Sequence, residues 1–481
     1  MSLCGCWTQL SDALAPSAPK LLEDVPRGAV NNKCPIVLVH GFAGQAETSD
    51  GVRYWGRSHG DIADKLELAG HKVFTVSIGP FSSNWDRACE LYAQIKGGRV
   101  DYGEKHSAHH GHERFGRELP GLYPEWGEKD AHGRIRKVHL VGHSLGGTTI
   151  RMLAQLLAHG TKGAPIDEDP ASNSLFEGGK DWVLSVTTIS SPNQGTTLLD
   201  GFSSISDTIE NALAIWFAVR GLTAQPGATL FDPHLDQWGI TPRQEDEGVS
   251  AYIHRILGSR MFAPGFKDIV AWSGCTEGAK EENAWVTTLP NVYYYSISGQ
   301  CTIQTTSDEG EPIVTADSNC MSLELRAFSA FMTSDFTTKL GFPESWKAND
   351  GTINTVSMAS DGHGPVIDFD GRSLPGHWMK LPLLTHMDHL TIVGSQKEVD
   401  PTDLYCVHAA ILAGLPVSGR NGTAVVAPAE LVTRLKQVIT HLNNREEPES
   451  EDAAQTWYPH ALSQDLTSVG ASPTVPRAEP W

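Results

Sequence analysis

Residues 137–150, KVHLVGHSLGGTTI, constrain this chain more than any other stretch. A short β-branched run, 138–141, leads into Gly142-His143-Ser144-Leu145-Gly146, and an apolar helix-like stretch, 150–157, follows. This is Gly-x-Ser-x-Gly at a strand-to-helix junction. Glycines at both ends carry no Cβ to collide with neighbouring elements, so the chain can turn sharply and expose the Ser144 hydroxyl. The helix that begins there has unpaired N–H groups facing the place where a tetrahedral oxyanion would form. The alternative is a glycine-rich βα loop with an ordinary serine. The apolar strand before and the helix after favour the nucleophile.

A second segment supports it. Residues 35–44, PIVLVHGFAG, read as a buried strand ending in a small-residue turn. In α/β hydrolases such a loop gives one oxyanion N–H, and the residue after the nucleophile gives the other. Phe42 and Leu145 are therefore the candidate backbone donors. The triad order on this fold is Ser, then Asp or Glu, then His. Asp350, in Asn349-Asp350-Gly351, is attractive because an Asp in a tight turn presents its carboxylate beyond a sheet edge. His363, His377, His386, His389 and His408 all lie downstream, and spacing alone does not choose among them.

Further apolar runs at 36–39, 73–78, 183–189 and 292–297 alternate with helical or polar stretches. That pattern points to crossover units and a mostly parallel sheet, buried on both faces. Residues 1–33 read as a poorly ordered lead-in, 34–444 as the folded domain, and 404–415 and 430–442 as its closing helices. From residue 445 the chain turns acidic and then Pro/Ser-rich, a disordered tail by composition.

At 481 residues a sizeable core is assured. The formal charge of −20 argues against a nucleic-acid partner, because a phosphate backbone would be repelled. No apolar run approaches the ~20 residues needed to cross a bilayer. The N-terminal MSLCGCWTQL lacks a basic region and a continuous apolar core, so it does not read as a signal peptide. Eight cysteines are too sparse for a disulfide scaffold, although Cys301 and Cys320 bracket a polar loop and could pair in an oxidising compartment. Asn421-Gly422-Thr423 is a glycosylation sequon that reads as a chance match.

From Pro35 to about Leu415 the sequence resembles the thermostable lipases of thermophilic bacilli, with staphylococcal lipases as more distant relatives. The shared stretches include LVHGFAG, RYWG (53–56), GPFSSNWDRACELYAQIKGGRVDYG (79–103), HSAHHGHERFGR (106–117), SLFEGGKDWVLSVTTIS (174–190), LDQWG (235–239), NDGTINTVSM (349–358) and MDHL (387–390). The resemblance implies an α/β-hydrolase fold with an inserted zinc-bearing subdomain, about residues 80–120 and around 236. It also implies a lid helix at about 205–223, where ALAIWFAV is almost wholly apolar. It places the nucleophile on Ser144, the acid on Asp350 and the base on His389. The elbow departs from the family's Ala start and Gln after the serine, with Gly142 and Leu145 instead. Thr-Pro-His-Asp-Gly becomes Ser191-Pro192-Asn193-Gln194-Gly195.

For zinc, the matching ligands are Asp86, His106, His112 and Asp236, a donor set suited to a closed structural Zn²⁺ site. His109 and His110 would stay solvated. For calcium, the family's Glu is Thr391 here, its Asp-Pro pair is Asp400-Pro401 displaced by four residues, and its backbone carbonyl falls near Glu324. Losing one carboxylate and shifting another weakens an ion that wants six to eight oxygens, so calcium is not expected. The expected activity is hydrolysis of triacylglycerols and other carboxylic esters at a lipid–water interface. The rivals are a short-chain carboxylesterase or acyltransferase on the same machinery, and a non-catalytic lipid-binding protein. The resembling lipases are secreted, whereas no signal is visible here, so the compartment stays open.

Overall fold

Ile36, Val37, Leu38 and Val39 are all buried, and they form the strand that sits deepest in the sequence pattern. The computed structural model describes residues 31–47, 51–203, 234–240, 246–263, 265–307, 309–418 and 422–444. The segment expected as a lid, 205–223, lies outside the described residues, as do residues 1–30 and the tail from 445.

In chain order the first half runs β1 (Ile36–Val39), α1 (Ile62–Leu68), β2 (Val73–Val76), α2 (Asn84–Lys96), β3 (Gly98–Asp101), α3 (Glu104–His110) and β4 (Phe115–Leu119). Then come β5 (Val138–His143), α4 (Leu145–His159), β6 (Val183–Ile189), β7 (Tyr293–Ile297), β8 (Thr302–Thr306) and β9 (Pro312–Ala316). The short strands β10 (Val366–Asp368), β11 (Arg372–Ser373), β12 (Trp378–Lys380) and β13 (Val425–Val426) follow, around the closing helices Thr402–Ala413 and Ala429–Asn443. Seven strands make one sheet in the order β10-β12-β7-β6-β5-β1-β2, and every pairing in it is parallel. The mostly parallel sheet flanked by helices is the arrangement expected of an α/β hydrolase.

Helices cover both faces of the sheet, and alternation within each strand divides its side chains between two cores. Ile36 and Leu38 join Tyr293, Tyr295 and the closing helices on one face. Val37 and Val39 join Leu140, Tyr294 and the apolar sides of α2 and α4 on the other. With both sides apolar, the strands read as continuous runs in the sequence. Asn32 donates its side-chain amide to the carbonyls of Leu412 and Leu415, and its Oδ1 meets buried His139. Residues 31 and 32 therefore belong to the folded body.

Outside the sheet, β3 and β4 form one antiparallel hairpin and β8 and β9 another. Cys301 and Cys320 are disulfide-bonded at the base of the second. The loops that leave β1, β5, β6, β7 and β12 gather at the carboxyl edge of the sheet, where open α/β sheets place their sites.

Candidate active site and metal centre

Ser144 sits between β5 and α4 with φ 55° and ψ −131°, a conformation that costs a non-glycine residue and that the packing must impose. The packing is tight. A Cβ on Gly142 would come 2.4 Å from the backbone of Gly146, and one on Gly146 would lie 2.3 Å from the Val39 carbonyl oxygen. With this backbone a side chain at either place would meet main-chain atoms, which suits the two glycines of the motif. Leu145 is the first residue of α4, so its N–H belongs to the first turn, where helical N–H groups lack an intrahelical acceptor. Phe42 lies three residues past the end of the adjacent strand β1. Buried Arg87 holds that loop by donating to the carbonyls of His40 and Gly79, at 2.6 and 2.7 Å, and to Thr149 Oγ1 at 2.8 Å. Burial lowers its pKa to about 10.

Of the five downstream histidines named above, His389 reaches the serine. Its Nε2 is 2.9 Å from Ser144 Oγ, and its Nδ1 is 2.8 Å from Asp350 Oδ2. Asp350 is fully buried, and its other oxygen accepts from the backbone N–H groups of Thr352 and Ile353. The main chain joins the two loops as well, because His389 N donates to Asp350 O at 2.9 Å. The other histidines stand elsewhere: His408 is buried against Thr187, His377 bonds the Pro375 carbonyl, and His386 meets Thr385. His143, beside the serine, packs its ring on His389 with centroids 4.5 Å apart. Its Nδ1 meets the Tyr54 hydroxyl at 2.6 Å, and that hydroxyl also accepts from Gly41 N. Burial, with His389 beside it, keeps His143 well below the usual imidazole range. In the altered 191–195 loop, Asn193 donates to the Met358 carbonyl and Gln194 to that of Ser360. Both tie the loop to the segment after Asp350.

A second cluster lies apart from these residues. Asp86 in the first turn of α2, His106 on α3, His112 just after it, and Asp268 bring one ligand atom each within 4.8 Å of one another. His106 Nε2 is 3.2 Å from Asp86 Oδ1 and 3.3 Å from Asp268 Oδ1, and His112 Nε2 is 3.2 Å from Asp268 Oδ2. Ligands at ~2.0 Å around a tetrahedral ion would be separated by about such distances. Asp86 Oδ1, both Asp268 oxygens and both Nε2 atoms are buried without a hydrogen-bond partner. Buried polar atoms are rarely left so, and a cation satisfies all of them. His112 Nδ1 contacts the Glu113 carbonyl, which leaves Nε2 as the lone-pair nitrogen. Burial, and next the Asp268 charge, push the Asp86 carboxyl up, a repulsion that a divalent ion would reverse. Trp85 stacks on His106 and Trp238 packs on His112. These residues fit a metal.

One expected ligand is corrected. Asp236 does not face the cluster: its carboxylate pairs with Arg117 and is 44 % exposed. Residues 236–238 form a single 3₁₀ turn, and such a turn can send only part of its residues inward. Gln237 faces in, donating to Asp86 Oδ2 at 3.3 Å, and Trp238 covers His112. Asp268 takes the fourth position. Its only local signal is a carboxylate placed directly before the apolar run Ile269-Val270-Ala271-Trp272. The residues weighed for calcium stand as follows. Thr391 bonds Asp388, Asp400 accepts from Thr402 and pairs with Lys65, Pro401 precedes the helix Thr402–Ala413, and Glu324 is exposed.

The family described as "Lipase-like, C-terminal domain" matches residues 32–405, the stretch that holds all of these positions. The chain belongs to this family. It is 30 % identical to Lipase 1 of Staphylococcus aureus over 380 residues, which are 76 % of this chain and 52 % of that protein. The chain thus spans about half the length of the curated relatives it matches. Among solved structures, Lipase 1 from Pelosinus fermentans is similar at 37 % identity and a TM-score of 0.67, with 80 % of this chain and 99 % of that one covered. EstA from Clostridium botulinum is similar at 36 % identity and a TM-score of 0.68, covering 81 % and 89 %. Among the described residues no helix is long and apolar enough to cross a membrane.

Proposed function

We propose that the chain is a serine hydrolase of carboxylic esters, acting on acylglycerols presented at a lipid–water interface. One observation carries this reading: His389 bridges Ser144 Oγ and Asp350 Oδ2 at hydrogen-bond distance on both sides. His389 Nε2 takes the serine proton as Oγ attacks the ester carbonyl, and then delivers it to the leaving alcohol. Asp350 keeps the imidazole in the required orientation and stabilises the imidazolium. The N–H groups of Phe42 and Leu145 receive the oxyanion, and water then hydrolyses the acyl-enzyme by the same route. The lipases among its relatives support lipid esters as the substrate class.

The buried cluster holds a structural Zn²⁺ in this reading, because two imidazoles and two carboxylates with no further donor form a closed four-ligand set. Asp86, His106, His112 and Asp268 are its ligands. The ion takes no part in the chemistry, which Ser144 and His389 complete between them. Its contribution is to folding, by joining α2, α3 and the segment at 268.

A panel of esters of increasing acyl length, each as monomer and as emulsion, tests the substrate class. Turnover that climbs with chain length and with aggregation is expected, whereas turnover confined to short soluble esters would make the protein a carboxylesterase. Ser144→Ala should remove hydrolysis by on the order of 10⁶ in kcat while the protein stays folded. Activity within tenfold of wild type in a clean preparation overturns the nucleophile.

A further inference from the structure

Asp388 has no place in the reaction as derived, yet it is fully buried and immediately precedes His389. Its two oxygens receive six donors. Oδ1 accepts from Leu390 N at 3.0 Å, Thr391 N at 2.7 Å and Thr391 Oγ1 at 2.7 Å. Oδ2 accepts from Ser322 N at 2.8 Å, from Ser322 Oγ, and from Gln396 Nε2 at 3.3 Å. Ser322 Oγ in turn accepts from Gln396 Nε2. All six donors are uncharged, and together they surround both oxygens of the side chain.

We propose that Asp388 is the positioning residue that fixes His389 between Ser144 and Asp350. The inference rests on the proposed ester hydrolysis. Through Oδ1 the carboxylate curls the chain after His389 into the turn that starts Thr391–Val393, which sets where the imidazole emerges. Through Oδ2 it anchors that turn to Ser322, two residues after Cys320. Cys320 is bonded to Cys301, and Cys301 N donates to the carbonyl of Asn349, the neighbour of Asp350. Leu325, three residues beyond Ser322, lies against Gly351 on the far side of that acid. One strut therefore touches the base loop at one end and the acid loop at the other. A reactive constellation loses on the order of 10²-fold for ~1 Å of misplacement, so a strut of this kind acts on turnover without touching substrate.

The test uses the full chain with its metal, and compares wild type, Asp388→Asn, Ser322→Ala and Ser322→Thr. Asp388→Asn keeps the shape but turns an NH₂ toward three donors. With soluble p-nitrophenyl butyrate, kcat should fall about 10- to 100-fold with KM within about twofold, since the binding surface is untouched. Ser322→Ala should fall by less, and Ser322→Thr, which keeps the hydroxyl, should recover most of that loss. A second readout is independent of turnover: the low-field proton of His389 Nδ1, bound to Asp350, followed by NMR with labelled histidine. It should be present in wild type and broadened or lost in Asp388→Asn. If Asp388→Asn keeps kcat within twofold, or loses turnover with that proton unchanged, the proposal is overturned. If Asp388→Asn does not fold, equal turnover of Ser322→Ala and Ser322→Thr overturns it. If folded wild type hydrolyses no ester, the proposed reaction fails, and the proton comparison alone decides the positioning role.

Discussion

At the scale of single residues, the site separates groups that a local motif marks from groups that only the fold brings in. Ser144 announces itself because a nucleophile on a strained turn needs small residues on both sides, and those residues are adjacent in sequence. Asp350 is half announced by its Asn-Asp-Gly turn. His389 is not announced by its neighbours at all, and among several downstream histidines only resemblance singles it out. Asp268 escaped for the same reason: a carboxylate becomes a ligand through long-range packing, 156 positions from His112 and 182 from Asp86 by their numbers. Two predictions follow from these roles. Asp350→Asn should keep the fold and lower kcat by about 10⁴, because the neutral amide no longer holds the proton on His389 Nδ1. Steady-state kinetics on a soluble ester checks it, and a loss below tenfold would remove Asp350 from the mechanism. Asp268→Asn should release the metal, while Asp236→Asn, which disturbs only the pair with Arg117, should retain it. Elemental analysis after dialysis distinguishes them, and the reverse pattern would restore Asp236 as the ligand.

At the scale of elements, the long buried strands were legible and the short ones were not. Runs 36–39 and 183–189 coincide with β1 and β6, because strands covered on both faces are built mainly from apolar and β-branched residues along their whole length. The closing helices lie within two residues of where their periodicity puts them. The hairpin β8–β9 and the short strands β10 to β13 were missed. They are only two to five residues long and, apart from buried β12, largely exposed, so neither alternation nor continuity marks them. The metal cluster belongs to this scale because it ties α2 and α3 to a segment far along the chain. Chelation should therefore lower the melting temperature by several degrees, with activity at mild temperature lost only as the structure loosens. Differential scanning calorimetry with and without a chelator, followed by metal return, measures the shift. An unchanged melting temperature in protein verified as metal-free would refute the clamp.

At the scale of the whole molecule, four buried histidines make the protein's stability depend on acidity. His139 meets Ser185 and Asn32, His408 meets Thr187, and burial lowers both to about 3. For His139 the charges of His408 and His71 act in the same direction. His40, buried beside Arg87, and His143, buried beside His389, also lie well below the usual range. Each has a folded pKa depressed below its unfolded value near 6.5, so the unfolded chain takes up protons first as acidity rises. The stability these groups confer by staying neutral is complete above about pH 6.5, and each loses roughly 1.4 kcal/mol per pH unit below it. For His139 and His408 the loss continues toward pH 3. Urea denaturation at pH 7.5 and at pH 5 should show a clearly lower midpoint at pH 5. Replacing one contributor isolates its share. His408→Gln, which keeps a polar partner for Thr187, should be less stable than wild type at pH 7.5 yet lose less between the two pH values. Metal binding also weakens in acid, so both proteins are compared at matched, verified metal content. If His408→Gln loses as much stability as wild type over that interval, His408 is not held neutral by the fold.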